Sequence, residues 1–252
     1  MRSIYLVNVG ANTMHCGEAR SPIFDDGSWH YVSFPTSPGK ASQKYLDDAR
    51  SYLLNDSINY THADPSWDDY TYGDNCANPR AGALKKVQRG DILLFWGLLW
   101  RHRGRDDWHG FTGERGWYLF GSFRVQEIVQ PEQSVQSVSM ENQDRARRNA
   151  HFMEAGDKLL PGHHVFLGDQ DHSRQFERAV DLEVTSSSGL IYQTFTSSQG
   201  ALLTRDGSPS WKSSLRSCRK MWDLDDPVSR SRAQIVADAI KKQADFDLLK
   251  GL

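Results

Sequence analysis

Arg89-Gly-Asp-Ile-Leu-Leu-Phe-Trp-Gly97 and Gly116-Trp-Tyr-Leu-Phe-Gly-Ser-Phe-Arg-Val125 are the two stretches whose reading decides the fold. Each enters through a turn and continues as an apolar, aromatic run, the pattern of a buried strand. Strands are therefore predicted over Asp91 to Trp96 and Trp117 to Val125, with Gln126 to Val129 extending the second. The segment between them, Leu98 to Gly116, is rich in Arg, His, Asp and Gly. It is too long for a hairpin turn, and the expectation is a mobile flap over a site.

Working outward, Ile4 to Val9 reads as a first buried strand leaving through Asn8-Val-Gly-Ala-Asn12. Ser21-Pro-Ile-Phe-Asp-Asp-Gly-Ser28 carries an Asp-Gly turn, and Trp29 to Phe34 alternates, so a hairpin is expected there. Helical spacing of Tyr45, Leu46, Ala49, Tyr52 and Leu53 predicts a helix over Ser42 to Leu54. Met140 to Glu154 is a polar, Arg-rich helix candidate. Val165 to Gly168, Ala179 to Val184 and Leu190 to Phe195 are short strand candidates, Ser186 to Gly189 a turn, and Ser197 to Ser214 a loop. An amphipathic helix is predicted over Ser229 to Leu249, with Ile235, Val236, Ala239, Ile240 and Phe246 near one stripe. Strands and helices in irregular order imply an α+β fold, taken as one domain over 1–252.

The composition bounds the partners. A net charge of -2 gives no global basic field of the kind that advertises nucleic-acid binding. Local clumps at Arg101-His-Arg-Gly-Arg105, Arg145-Ala-Arg-Arg148 and Lys212 to Lys220 can still meet phosphate, or simply be solvated. No apolar run reaches the roughly 20 residues that span a bilayer, and the N-terminal run lacks the h-region of a signal peptide. Cys16, Cys76 and Cys218 are scattered and odd in number, which predicts reduced thiols and a cytoplasmic protein.

The candidate site is the polar, aromatic stretch Tyr60-Thr-His-Ala-Asp-Pro-Ser-Trp-Asp-Asp-Tyr-Thr-Tyr-Gly-Asp74, read as a loop outside the core. His62 with Asp64, Asp68 and Asp74 nearby can act as an oriented general base or hold a divalent metal; the same residues also cap turns. Trp67, Tyr70 and Tyr72 offer faces for stacking a base, whereas Trp96 and Trp117 read as core. Asn8 and Asn12 offer base-edge hydrogen bonds. Arg80, Arg101, Arg103 and Arg105 are candidate phosphate contacts, with Arg145, Arg147 and Arg148 extending the track. His15 and Cys16 point to opposite faces of an extended chain and form no dyad. His163-His164 with Asp169, Asp171 and His172 fits no ligand spacing, and no residue is assigned to a metal. The chain has no P-loop, GxGxxG, HExxH, GxSxG or zinc-deaminase motif, so the cofactor is left unknown.

Gly90-Asp-Ile-Leu-Leu-Phe-Trp96, Trp117-Tyr-Leu-Phe-Gly-Ser-Phe-Arg-Val125 and Ser173-Arg-Gln-Phe-Glu-Arg-Ala-Val180 are similar to segments of the PUA-like superfamily, its EVE and ASCH branches above all. That resemblance implies a small mixed β-barrel core with peripheral helices, binding nucleic acid through one base in a pocket. Over nearly the full length, Val7-Asn-Val-Gly-Ala-Asn12, Ser21-Pro-Ile-Phe-Asp-Asp-Gly-Ser28, His62-Ala-Asp-Pro65, Tyr70-Thr-Tyr-Gly-Asp74 and Gly90-Asp91 resemble the nucleotide modification associated domain 3 family. Membership implies a role near DNA base modification, often in phage-linked neighbourhoods, without supplying a reaction. The matching positions are Asn8, Gly10, Pro22, Asp26, Gly27, His62, Asp64, Pro65, Tyr72, Gly73 and Asp74.

Three functional readings follow. The leading one is a pocket, lined by the Tyr60–Asp74 stretch and by Asn8, Gly10, Asn12 and Asp26, that binds a nucleotide or a modified base. The partners are then nucleic acid or nucleotide, DNA foremost, together with modification enzymes. The second is an enzyme using His62 with Asp64 or Asp74. The third is a protein-interaction module.

Overall fold

The structure is a computed structural model that describes residues 2–10, 17–39, 42–104, 107–181 and 218–252. Its ten strands among those residues are β1 (Ser3–Asn8), β2 (Ser21–Ile23), β3 (Gln43–Lys44), β4 (Tyr60–Thr61), β5 (Thr71–Asn75), β6 (Ile92–His102), β7 (Phe111–Val129), β8 (His163–Gly168), β9 (Arg174–Asp181) and β10 (Cys218–Asp223). The α-helices are α1 (Asp47–Arg50), α2 (Met140–Arg148), α3 (Ala150–Ala155) and α4 (Pro227–Ala244). The fold is mixed α+β and is dominated by one eight-stranded sheet, whose main path runs β10-β1-β6-β7-β8-β5.

β6 explains why the sheet forms. Its residues are apolar on both faces, as suits a central strand covered on both sides. Leu94, Trp96, Leu98 and Trp100 point to one face, where Trp117, Phe176, Trp222 and the Ala233, Val236, Ala237 and Ile240 stripe of α4 meet them. Leu93, Phe95 and Leu99 point to the other, against Tyr72, Phe120, Phe123 and Leu84. Parallel pairing to β1 (Ile4 with Ile92) and antiparallel pairing to β7 (Leu93 with Phe123) bury the strand laterally as well. Gly90 and Asp91, just before β6, have a structural task. Gly90 takes φ +90°, a turn conformation that glycine adopts without strain. Asp91 accepts the backbone N–H of Ser3 at 2.7 Å and of Gln88 at 2.8 Å, pinning β1 to the turn.

The structure changes several expectations. Leu98 to Gly116 is not a flap: β6 and β7 keep pairing through Trp100–Arg115 to His102–Phe111, because Leu98, Leu99 and Trp100 are buried and continue the alternation. The Ser42–Leu54 helix shrinks to the four residues of α1. Gln43 and Lys44 pair with Thr61 and Tyr60 instead, and Leu46 is exposed while Tyr45, Tyr52 and Leu53 fill a small side cluster with Phe24 and Val32. Met140–Glu154 is two helices, broken where Asn149 caps α3 by accepting the His151 N–H at 3.0 Å. The barrel is also absent among the described residues. The end strands of the sheet path, β10 and β5, pair with β1 and β8 respectively and not with each other.

The Asp-Gly hairpin forms as expected: Phe24 N–H bonds Ser28 O at 2.9 Å and Gly27 N–H bonds Phe24 O at 3.0 Å, though the second arm is bridged only at Trp29 and Pro35. The C-terminal helix forms over Pro227–Ala244, with Asp226 capping it through the Ser229 N–H at 2.7 Å and Pro227 in its first turn. Asn12, His15, Cys16, Arg105, the 186–189 turn, the 190–195 strand and the 197–214 loop lie outside the described residues.

Candidate functional site

The Tyr60–Asp74 stretch is only partly loop. Its last four residues open β5, which pairs antiparallel with β8 from Thr71–Leu167 to Asn75–His163. Pairing places Tyr72 inside the core, stacked on Phe166 at 6.3 Å, and leaves Asp74 facing a cavity. Residues 62–64 are held from the other side by the arm after the Asp-Gly hairpin. Ser33 donates its hydroxyl to His62 O, and Tyr31 donates to Asp64 O at 2.9 Å. His62 stacks on the Phe34 ring at 5.2 Å.

The two histidine-bearing segments meet at Asp64, a carboxylate only 4% exposed. Asp64 accepts the Gly73 backbone N–H with both oxygens, at 3.1 and 2.8 Å. His151 Nε2 lies 3.3 Å from Asp64 Oδ2. The fully buried Asn149 fixes this arrangement. Its amide donates to Thr71 Oγ1 at 3.2 Å and to Asp64 Oδ1 at 3.4 Å while its carbonyl oxygen caps α3. Gly73 is required by close approach: a Cβ there would run into the His151 ring. The His62 and His151 rings stand edge to face at 5.0 Å, and one donor atom from each of His62, Asp64 and His151 lies within 4.8 Å of the others.

These residues form one wall of a cavity of about 330 Å³, completed by Asn8, Val9, Gly10, Asn75, Asn78 and Arg80. That volume lies within the range of small-ligand sites. Asn8 is 7% exposed; its amide donates to Trp96 O at 3.2 Å, which fixes its orientation, and its Oδ1 has no hydrogen-bond partner among the described residues. Asp74 Oδ2 accepts the Tyr72 hydroxyl at 2.7 Å, with Cys218 Sγ 4.0 Å away.

The electrostatics are uneven. Burial pushes Asp74 above the usual carboxylate range; the Tyr72 hydrogen bond opposes this and the charge of Asp64 adds to it. Burial and then Asp74 hold the Tyr72 phenol well above its ordinary value. Burial lowers His62, more than Asp64 raises it. Burial also opposes charge on His151, but the hydrogen bond and charge of Asp64 outweigh it and the net shift is upward.

The structure thus brings Asn8, Gly10, His62, Asp64, Tyr72, Asp74 and Arg80 to one cavity and leaves other expected residues elsewhere. Trp67 packs edge-on against Phe95 and Phe123, each at 5.3 Å, so its ring is committed to the core. Tyr70 rests on Phe123 at 5.6 Å. Asp26 caps its own hairpin by accepting the Ser28 N–H at 2.9 Å. Arg101 reaches Asp25 at 3.4 Å, and neither it nor Arg103 lines the cavity.

The arginines of α2 are engaged with the protein's own acceptors. Arg145 is buried and donates to Asp69 O, Asn142 Oδ1 and Gly168 O at 2.8, 2.6 and 2.6 Å. Arg148 clasps the Asp69 carboxylate at 2.5 Å, and Arg147 pairs with Asp144. Arg145 and Arg148 tie the loop before β5 to α2.

His151 and Asn149 are the site residues that sequence reasoning passed over. The one local signal was Asn149 as a helix cap, followed two residues later by a histidine on the first turn.

A family model described as nucleotide modification associated domain 3 matches residues 3–227. No curated protein and no solved structure matches the chain. The matched span contains every residue of the cavity wall, and the chain belongs to the nucleotide modification associated domain 3 family.

Proposed function

We propose that the protein binds a nucleotide, or a modified base exposed from DNA, in the cavity between Asn8 and His151, and serves a nucleic-acid modification system of the phage or defence-linked kind. The observation that carries this reading is convergence. Asn8 from β1, Asp64 and Asp74 around β5, Arg80 beyond it and His151 from α3 line one cavity of about 330 Å³. Asn8 brings a polar side chain to the wall, Phe34 and His62 offer ring surface, and Arg80 supplies a cation for phosphate. A base taken from a duplex costs a few kcal/mol to flip, which these contacts would have to return. The cytoplasmic location and a PUA-like ancestry of the β6–β7 pair belong to the same reading.

A second reading, an enzyme acting on that base or nucleotide, is favoured by the meeting of His62, Asp64 and His151 at one point of the wall.

The test is a titration with mononucleotides and with short single- and double-stranded DNA carrying plain and modified bases, at low and physiological salt. Preference for one base that survives salt is expected, and His62→Asn separates the readings. Turnover lost with binding retained marks an enzyme; weakened binding with no turnover in the parent protein marks a reader. Uniform binding that vanishes in salt removes the pocket reading and leaves a protein-interaction module.

A further inference from the structure

We propose that His62, Asp64 and His151 form a binding site for a divalent transition metal ion at the wall of this cavity. The proposal deepens the reading of the same cavity, although each can fail without the other. Ligand atoms about 2.0–2.2 Å from one ion lie roughly 3–3.5 Å from each other at octahedral or tetrahedral angles. The separation of His151 Nε2 from Asp64 Oδ2 is 3.3 Å, and all three donors fall within 4.8 Å, so a small rotation of the His62 ring closes the set. Nothing opposes that rotation by hydrogen bonding, because neither ring nitrogen of His62 has a hydrogen-bond partner among the described residues; the ring is held by stacking on Phe34 and by its edge-to-face contact with His151.

Two imidazoles and a carboxylate suit iron, cobalt, nickel or zinc in the divalent state, whereas magnesium and calcium prefer all-oxygen sites. The carboxylate is already oriented from behind by the Gly73 N–H and the Asn149 amide, the outer-shell support that metal-binding carboxylates use. Each carboxylate oxygen has two lone pairs, so these bonds leave room for an ion. Charge favours the same conclusion. Asp64 is buried and Asp74 half-buried in one cavity, and neither makes a salt bridge to lysine or arginine among the described residues. Three protein ligands leave coordination positions open toward the cavity, where water or an oxygen or nitrogen atom of a bound nucleotide fits.

The full chain, stripped with a chelator, is titrated with Co²⁺ while d–d absorption is followed, and Zn²⁺ is used in competition. One Co²⁺ per chain is expected. His62→Ala and His151→Ala should each weaken it by roughly 100-fold or more, beyond the loss typical of outer-shell changes. His172→Ala, in a surface pair with Asp169, should bind as the parent does. Circular dichroism confirms that the variants fold, and His62→Ala in particular removes no side-chain hydrogen bond. No stoichiometric uptake, or uptake unchanged in both site variants, overturns the proposal. Nucleotide binding by the stripped protein without Co²⁺ uptake removes the metal and keeps the cavity reading. Co²⁺ uptake without nucleotide binding does the reverse.

Discussion

Asp74 shows what a single side chain costs the fold when it faces a cavity. Burial raises its proton affinity, Asp64 adds to the effect, and the Tyr72 hydroxyl only partly offsets both. A carboxyl group whose folded pKa is raised stabilises the fold fully below its unfolded pKa, and that contribution is lost as pH rises through the folded value. Asp74→Asn keeps an oxygen to accept the Tyr72 hydroxyl and removes the charge. In chelated protein the variant should gain stability relative to the parent as pH rises from about 4, the ordinary Asp range, to 7. Urea midpoints at the two pH values measure this. An offset that does not change with pH would show that ionised Asp74 is not a liability. A residue that weakens the free protein at neutral pH is consistent with selection for a ligand or ion that accepts its charge.

At the scale of elements, the site is held by the junction of α2, α3 and β5 rather than by the loop that carries most of its polar residues. Arg145→Ala strands the carbonyls of Asp69 and Gly168 inside the junction, and bonds to a charged donor contribute about 1.5–3 kcal/mol each. A loss on the order of 3 kcal/mol in chemical unfolding is expected, with nucleotide affinity falling as the Asp64 loop loosens. Arg147→Ala, on the exposed face with Asp144, should stay within about 0.5 kcal/mol and leave binding unchanged. Reduced DNA affinity in Arg147→Ala at unchanged stability would restore the phosphate track.

The same junction explains what was legible in the sequence. β1, β6, β7 and β8 were readable because each carries a continuous buried apolar run, Ile4 to Val7, Ile92 to Trp100, Trp117 to Phe120 and Val165 to Leu167. His62, Asp64 and Asp74 were readable because a dense polar stretch between strands has a local pattern. His151 was not: it enters the site through the Asn149 cap and the β5–β8 pairing, contacts that link it to a residue 87 positions earlier and leave no local spacing. The helical spacing of Tyr45, Ala49 and Tyr52 misled in the opposite way, since a largely irregular segment around the short α1, packed on Phe24, buries the same residues that a longer helix would.

For the whole molecule, charge decides how nucleic acid can be met. The net charge is -2, and Arg145, Arg147, Arg148 and Arg101 are engaged with the protein's own acceptors. Arg80, which has contacts of its own, is the arginine among the residues that line the cavity. A protein that reads DNA through a broad basic face neutralises many phosphates and loses affinity steeply with salt, by about 0.9 in the log–log slope per phosphate. Here a slope near -1 is expected, a mononucleotide should bind almost as well as a short oligonucleotide, and Arg80→Gln should flatten the slope by about one unit. Fluorescence anisotropy between 50 and 200 mM salt, roughly the range over which multi-phosphate binders lose several orders of magnitude, reads all three. A slope of about -5 or steeper, or binding that grows with polymer length, would place recognition on an extended surface and demote the cavity to a secondary role. A shallow slope would make the contacts inside the cavity, and the specificity they impose, the main source of affinity, which a slightly acidic protein needs if it is to find one modified base among many ordinary ones.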